Sequence, residues 1–375
     1  MSWPAALLTK RRRRLAVFAL AELTLAMAVP FLAIAGYHAL LDSRAGRFVE
    51  EPQEGDPGWR AIVDPSPVSA VVEVGEQGTT GLVLLAGHPD EGAPGTAILV
   101  PGTLEVDGVS LASLEPNDAV SALSSALRLR VKGIEVMTAE RWSETLGTKT
   151  YLLPNPDPVV DDAGQPLLAV GDIEVGGDNA AVFLGRPAPG LDPITVMYRR
   201  ELLWSALLAD PPTAADADPD GGAVGLGGVD TPLVAALDQV AGASARVVDL
   251  PLTDLGPDPA IDAEAAEALI REVVPVPAGS NPGDRLQVRV IDRTGQADLP
   301  AVAAEVASTG SEVVEIGNAS EFSGGETHLV VPFGLDDPGI NELALLTGAT
   351  TVLDEEADAD AVVTLVIGSD FVANR

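Results

Sequence analysis

The stretch LQVRVIDRTGQAD, residues 286–298, decides the fold of the C-terminal part of this 375-residue chain. Its first seven residues alternate as a half-buried strand does, and Thr294-Gly295 then predicts a turn into a helix over 298–309. The segments that follow are strands SEVVEIG and THLVVPF, a helix over 338–347, a short TTVL and the strand AVVTLVIG. This β-α-β-β-α-β order is typical of a ferredoxin-like split sheet, and it predicts a small domain over 285–375.

The region before it, residues 68–275, predicts a larger α/β (α+β) domain. Apolar runs such as LVLLA and AILV indicate buried strands, and TVMYRRELLWSALLA at 195–209 has the apolar spacing of a helix. A Pro- and Gly-bearing stretch at 276–284 indicates a linker to the C-terminal domain. The chain is therefore expected to contain two domains of unequal size.

An acidic loop interrupts the larger domain at 210–231. Within it, Asp216, Asp218 and Asp220 reproduce the first half of a calcium-binding loop. Calcium requires a bidentate Glu at the twelfth position of such a loop, and position 227 is Gly. We therefore predict no metal site here.

A basic cluster followed by a long apolar segment predicts the topology. The run KRRRR ends residues 1–14, which we expect to be a cytoplasmic basic tip, and 15–41 is long enough for a transmembrane helix. The polar residues 42–67 then predict a stalk. A cleavable signal peptide is the alternative for 15–41, because the small-residue pattern AIA precedes Gly36. Both alternatives place the domains outside the cytoplasm.

Charge excludes several classes of protein. The chain has 22 Lys and Arg against 56 Asp and Glu, a net charge of −34. Five of the basic residues and one acidic residue precede position 42, which leaves 17 against 55, or −38, outside the membrane. Nucleic acid is excluded as a partner because phosphate binding needs a basic face, and the absence of cysteine excludes disulfides and thiol chemistry.

One basic cluster stands out as either a polymer-facing patch or a salt-bridged surface: Arg128, Arg130, Lys132 and Arg141.

Three C-terminal motifs, VRVIDRTG (288–295), VVEIGNA (313–319) and AVVTLVIG (361–368), resemble the C-terminal domain of actinobacterial LytR–CpsA–Psr (LCP) cell-envelope proteins. Leu82 to Pro101 resembles the opening of the LCP catalytic domain. The resemblance implies a central mixed-sheet α-β-α domain followed by the small β-α-β-β-α-β domain. It also implies transfer of glycopolymers from a polyprenyl-pyrophosphate carrier to peptidoglycan, with arginines on the pyrophosphate and acidic residues on a divalent metal.

The residues that would carry this chemistry are mostly replaced. Where a typical family strand ends in Ile-Pro-Arg-Asp, this chain has VPGT, so that Gly102 replaces the family Arg. The family's acidic residue before the second strand falls at TTG (79–81), which has no carboxylate. Of a later Tyr-x-Arg-x-Arg pattern one arginine is left, Arg186. We therefore predict no catalytic residue, and the ligand-binding candidates are Arg186, Arg199 and Arg200.

Arg199 and Arg200 are neighbours on the helix predicted at 195–209. Successive helical residues point about 100° apart, so at most one of them is expected to face a pocket. The alternative for both is an ion pair on the surface.

From these features we predict a single-pass, membrane-anchored, extracytoplasmic protein of the bacterial cell envelope that is not an enzyme and needs no cofactor. Its partners would be a cell-wall glycopolymer, a polyprenyl-linked lipid or an envelope protein. A second hypothesis is an active LCP-type transferase with relocated arginines and Mg²⁺. A third is a structural spacer in which the C-terminal module alone binds. The transferase requires at least two candidate arginines to converge with a carboxylate at the mouth of an apolar pocket.

Overall fold

Two mixed β-sheets organise the residues that the computed structural model describes, which are 52–75, 78–88, 94–161, 163–185, 194–213, 232–242, 244–253, 259–281, 283–356 and 362–373. The strands are β1 (Arg60–Ile62), β2 (Val68–Gly75), β3 (Gly78–Ala86), β4 (Thr96–Pro101), β5 (Glu105–Val106), β6 (Val109–Ser110), β7 (Gly133–Met137), β8 (Thr150–Asn155), β9 (Val159–Val160), β10 (Pro166–Leu168), β11 (Gly171–Gly176), β12 (Arg246–Asp249), β13 (Gln287–Asp292), β14 (Glu312–Asn318), β15 (His328–Pro332), β16 (Thr350–Asp354) and β17 (Val363–Ile367). The helices are α1 (Pro116–Ala126), α2 (Ala139–Leu146), α3 (Ala180–Gly185), α4 (Ile194–Ala209), α5 (Pro232–Val240), α6 (Ala263–Val273), α7 (Leu299–Ser308), α8 (Pro338–Thr347) and α9 (Ser369–Ala373). Residues Glu54–Arg375 form one compact unit.

The central sheet has, within the described residues, the strand order β12-β4-β3-β2-β7. Strand β3 runs antiparallel to both neighbours, whereas β4 pairs in parallel with β12 and β2 with β7. A separate apolar core covers each face: α2, α3, α4 and α5 pack on one side, and α1 and α6 on the other. Both faces of β2, β3 and β4 are thus buried, which explains why their sequences are almost continuously apolar.

The C-terminal sheet has, in the described part of the chain, the order β1-β14-β13-β17-β15-β16. The elements occur in the sequence order that the periodicity predicts, but the split arrangement is wrong. Strands β13 and β14, which α7 connects, are direct parallel neighbours, and so are β15 and β16, which α8 connects. The short TTVL segment forms a full strand, and β17 lies between β13 and β15. Each crossover helix therefore returns the chain to the adjacent position in the sheet.

The edge strand β1 comes from residues that the sequence places in the stalk. It pairs antiparallel with β14, with Ala61 opposite Ile316. Hydrogen bonds extend the pairing, because Asn318 N donates to Trp59 O at 2.7 Å and Val63 N donates to Val314 O at 3.2 Å. The chain just after the predicted membrane segment is thus built into the C-terminal sheet.

Substituting Gly317 with alanine is expected to detach β1 from this sheet. A Cβ at Gly317 would lie 2.5 Å from Trp59 O, too close for any real contact, so β1 must shift. Such overpacking costs about 1–3 kcal/mol. We expect faster amide hydrogen exchange in residues 58–63 together with a lower urea midpoint. Ile62→Ala is the matched control, because that side chain is 84% exposed, and unchanged exchange in Gly317→Ala would contradict the prediction.

Several predicted segments lie outside the described residues: the basic tip 1–14, the membrane segment 15–41 and most of the acidic loop 210–231. In the part of the chain that is described, no helix has the length and apolar character needed to cross a bilayer.

Candidate functional site

One edge of the central sheet collects the residues that the sequence compares with the LCP active site. Because β3 is antiparallel to its neighbours, its start lies beside the ends of β2 and β4. Glu73 is paired with Gly81, and Gly81 with Pro101. The end of the parallel strand β12 adds Asp249 to the same edge, since Asp249 pairs with Leu99. Ligands of open α/β sheets commonly bind at such a strand-end edge.

The side chain of Arg200 extends from helix α4 across this edge. The guanidinium is fully buried and donates from Nε to Glu73 Oε2 at 2.8 Å. It also donates to two sheet carbonyls, to Val100 O at 2.8 Å and to Leu82 O at 2.7 Å. Arg200 therefore links three neighbouring strands, β2, β3 and β4, from inside the protein.

Trp204, one turn further along α4, completes this buried cluster. Its Nε1 donates to Glu73 Oε1 at 2.7 Å, so both carboxylate oxygens of Glu73 accept hydrogen bonds. The indole also packs edge to face on Trp142, with ring centroids 6.2 Å apart. A buried charge is tolerated when it is paired and hydrogen-bonded in this way. The cluster Glu73–Arg200–Trp204 is hence an internal, electrically neutral network.

Gly81 provides the space that Arg200 occupies. A Cβ at this position would lie 2.4 Å from Arg200 Cζ. Gly81 also belongs to the TTG segment, where the family resemblance places an acidic residue. A side chain there would have to displace the guanidinium from its bonds with the sheet.

Gly102 has even less space, because backbone rather than side chain surrounds it. A Cβ would lie 2.6 Å from Thr79 O and 2.7 Å from Thr80 C. The close approach is fixed by a hydrogen bond from Gly102 N to Thr80 O at 3.2 Å. Position 102, where the sequence resemblance leads us to expect an arginine, is a backbone-to-backbone contact.

Arg199, the neighbour of Arg200, is buried on a different side of α4. Its guanidinium lies over the ring of Phe183, 5.7 Å from the ring centroid. Burial lowers the pKa of Arg199, and the charge of Asp157 opposes that shift. The surface ion pair considered for both arginines is wrong, since Arg199 and Arg200 are 1% and 0% exposed. Both can be buried because α3 and the sheet cover adjacent faces of α4.

The role of the candidate arginines in binding a ligand stays a prediction. Arg186 lies outside the described residues, so its position relative to the other two is not described. Arg200 converges with one carboxylate, Glu73, but in the interior of the protein. Among the described residues, no group of three His, Asp or Glu side chains is placed to hold a metal ion.

Three residues of this edge were missed by sequence reasoning: Glu73, Trp204 and Asp249. Glu73 is a single acid within an otherwise apolar strand, VSAVVEV, which is a usable signal because a buried carboxylate needs a partner. Burial raises the pKa of Asp249, and the charge of Arg200 opposes the rise. The side chain of Asp249 nevertheless remains in contact with solvent.

The described chain has a mixed α/β fold and is similar to solved structures of LCP-family proteins. The LytR-Csp2A-Psr enzyme from Actinomyces oris gives a TM-score of 0.41 at 16% identity, covering 60% of this chain and 96% of that one. TagV from B. subtilis gives 0.39 at 10% identity, covering 56% and 98%. TagT, solved with bound octaprenyl pyrophosphate lipid, gives 0.35 at 12% identity, covering 61% and 95%. No protein-family profile and no curated protein sequence matches the chain.

Proposed function

We propose that this protein is a membrane-anchored, extracytoplasmic cell-envelope protein that lacks transferase activity and binds a cell-wall glycopolymer, a polyprenyl-linked lipid or an envelope partner. The proposal rests on one observation: the guanidinium of Arg200, at the strand-end edge, is engaged in a buried hydrogen-bond network. Arg200 donates to Glu73, Val100 O and Leu82 O, and it has no exposed surface.

Phosphoryl transfer depends on positive charge placed against the phosphoryl oxygens. In this chain the charge of Arg200 is neutralised by Glu73 at 2.8 Å. To bind a pyrophosphate, the guanidinium would have to give up its hydrogen bonds to Glu73, Val100 O and Leu82 O. The buried carboxylate of Glu73 would then be left without its charged partner. Gly102 cannot replace it, because the backbone of Thr79 and Thr80 fills the space of a side chain. The edge therefore supports a structural role better than a catalytic one.

The cellular location follows from the sequence features of the N-terminal segment. The basic tip 1–14 and the apolar segment 15–41 favour a single membrane pass with a cytoplasmic N-terminus. The net charge of −38 beyond residue 41 keeps the exported part soluble and repels bare anionic surfaces. We accordingly propose an anchored protein that engages its partner through a local site.

The full chain in detergent micelles, supplied with Mg²⁺, a polyprenyl-pyrophosphate-linked glycan and peptidoglycan as the acceptor, is expected to release no polyprenyl monophosphate. An active LCP transferase serves as the positive control. In parallel, the full chain should sediment with isolated cell walls, and walls stripped of their glycopolymer separate polymer binding from binding to peptidoglycan. Mg²⁺-dependent turnover would establish the transferase hypothesis instead. Absence of binding to walls, lipid vesicles and envelope extracts alike would contradict the proposal.

A further inference from the structure

A cleft of about 500 Å³ lies where the central domain meets the C-terminal domain. The end of α1 and one face of α6 form the first wall, and the turn 309–311 and the first turn of α8 form the second. Its volume lies within the range of small-molecule sites. Its apolar surface comes from Leu127, Ile261, Ile270, Leu286 and Pro338. The cleft is separate from the strand-end edge described above.

Arg128 lines this cleft with an unusual backbone conformation. It follows the last turn of α1, where Arg128 N donates to Ser125 O at 3.1 Å and Leu129 N to Ser124 O at 3.0 Å. This is the Schellman pattern, in which the residue at Arg128 adopts a left-handed conformation and is usually glycine. Arg128 has φ of +51°, and outside glycine such a backbone is strained. Strained residues of this kind cluster at ligand-binding and active sites.

The guanidinium of Arg128 differs from the other two on the cleft in its pairing, although its charge is close enough to Asp284 to add to the hydrogen bonds that lower the pKa of that carboxyl group. Arg271 and Arg285 lie 3.4 and 3.2 Å from Glu267 Oε1. Within the described residues, by contrast, the exposed Arg128 side chain makes no hydrogen bond and no ion pair. Burial lowers the pKa of Arg285, its pairing with Glu267 opposes that shift, and the charge of Arg128 lowers the pKa further, so Arg128 and Arg285 are close enough for their charges to repel each other. An anion beside Arg128 would relieve this repulsion.

The carboxylates on the cleft leave room for such an anion. Glu267 and Glu342 are each paired with Arg271, both at 3.4 Å. Asp337 caps α8 by accepting from Gly339 N at 2.8 Å. Glu264 is an exposed acceptor on the same surface, whereas the hydroxyl of Ser311 on the opposite wall is buried and already hydrogen-bonded to Thr309 Oγ1 at 2.9 Å. Acceptors of this kind suit the hydroxyl groups of a ligand, while Arg128 suits its anionic group.

We propose that this cleft binds a sugar unit bearing a phosphate or a carboxylate, with the anionic group on Arg128 and its hydroxyl groups on the polar walls. The identity of the biological ligand, an anionic wall glycopolymer, rests on the proposed binding function. The measurement itself is independent, because small charged sugars test the cleft whether or not the protein is a transferase.

The test compares three probes on the full chain in detergent micelles by equilibrium titration: N-acetylglucosamine 1-phosphate, glucuronic acid and neutral N-acetylglucosamine. At least one charged sugar should bind about tenfold more tightly than the neutral sugar, because one charge-assisted contact is worth that factor. Which of the two binds more tightly distinguishes a phosphate-bearing from a carboxylate-bearing ligand. Equal affinity for all three, or no binding of either charged sugar, would overturn the proposal.

Arg128→Gly separates a binding role from a structural one. Glycine adopts the positive φ without strain, so the variant should raise the thermal unfolding midpoint. If the proposal holds, the same variant weakens binding of the charged sugar about tenfold and leaves the neutral sugar unchanged. Arg246→Gly, which removes an exposed arginine away from the cleft, should leave the affinity intact. Unchanged affinity in Arg128→Gly would refute the site.

Discussion

Replacing Arg200 with methionine lowers the free energy of unfolding by about 3–5 kcal/mol, the largest loss that we expect from a single side chain. The reason is the charge left behind rather than the contacts removed. Glu73 is 1% exposed, so its carboxylate cannot be solvated once the guanidinium is gone. Two sheet carbonyls, Val100 O and Leu82 O, also lose their donors. Urea unfolding measured by circular dichroism gives the change directly.

Two further variants identify the cause of this loss. In Glu73→Gln with Arg200→Met the buried charge is absent, while the amide oxygen still accepts from Trp204 Nε1, so the double variant should be more stable than Arg200→Met alone. Arg246→Met is the matched control, since it breaks an exposed pair with Glu272, whose side chains are 51% and 60% accessible. Its cost should remain below about 1 kcal/mol. Equal losses of unfolding free energy in Arg200→Met and Arg246→Met would show that the buried pair stabilises the protein no more than the exposed pair does.

The local elements of this fold were largely predictable from sequence. The helix expected at 298–309 is α7, Leu299–Ser308, because Asp298 caps it and Pro300 fits its first turn. Strand adjacency was not predictable, since the split arrangement and the observed one have the same order of elements along the chain. Strand β1 was missed because three residues in a proline-rich stretch carry no periodicity, and its hydrogen bonds come from β14, more than two hundred positions away.

From the sequence, only the residues that the site lacks could be predicted. The resemblance to LCP sequences leads us to expect an arginine where this chain has Gly102, and the structure adds that a side chain there would collide with the backbone. The pairing of Glu73 with Arg200 joins residues 127 positions apart, and neither residue type nor spacing indicates such a long-range contact. Arg128 had already stood out as part of a basic cluster. Its left-handed backbone distinguishes it from Arg130 and Arg141, which the structure pairs with Glu312 and Glu135.

Substituting Gly102 with alanine should destabilise the protein by about 2 kcal/mol, and with arginine by about 3 kcal/mol or more. The added Cβ would approach Thr79 O and Thr80 C to 2.6 and 2.7 Å, and these are backbone atoms that cannot rotate away. Relief requires β3 and the end of β4 to separate, which breaks the hydrogen bond from Gly102 N to Thr80 O. Thermal and urea unfolding of the two variants measure the cost.

Gly133→Ala is the appropriate comparison, because a Cβ there would meet Ser69 Oγ at an ordinary 3.6 Å. That variant should be neutral or slightly stabilising, since alanine restricts the unfolded chain more than glycine does. The contrast bears on function as well as on stability. If Gly102→Arg folded as well as the parent chain and gained Mg²⁺-dependent transfer, the strand-end edge would be a catalytic site lacking one side chain. The expected result, loss of stability without any gain in transfer, would agree with a structural role of this edge, in which Glu73 and Arg200 are already paired with each other.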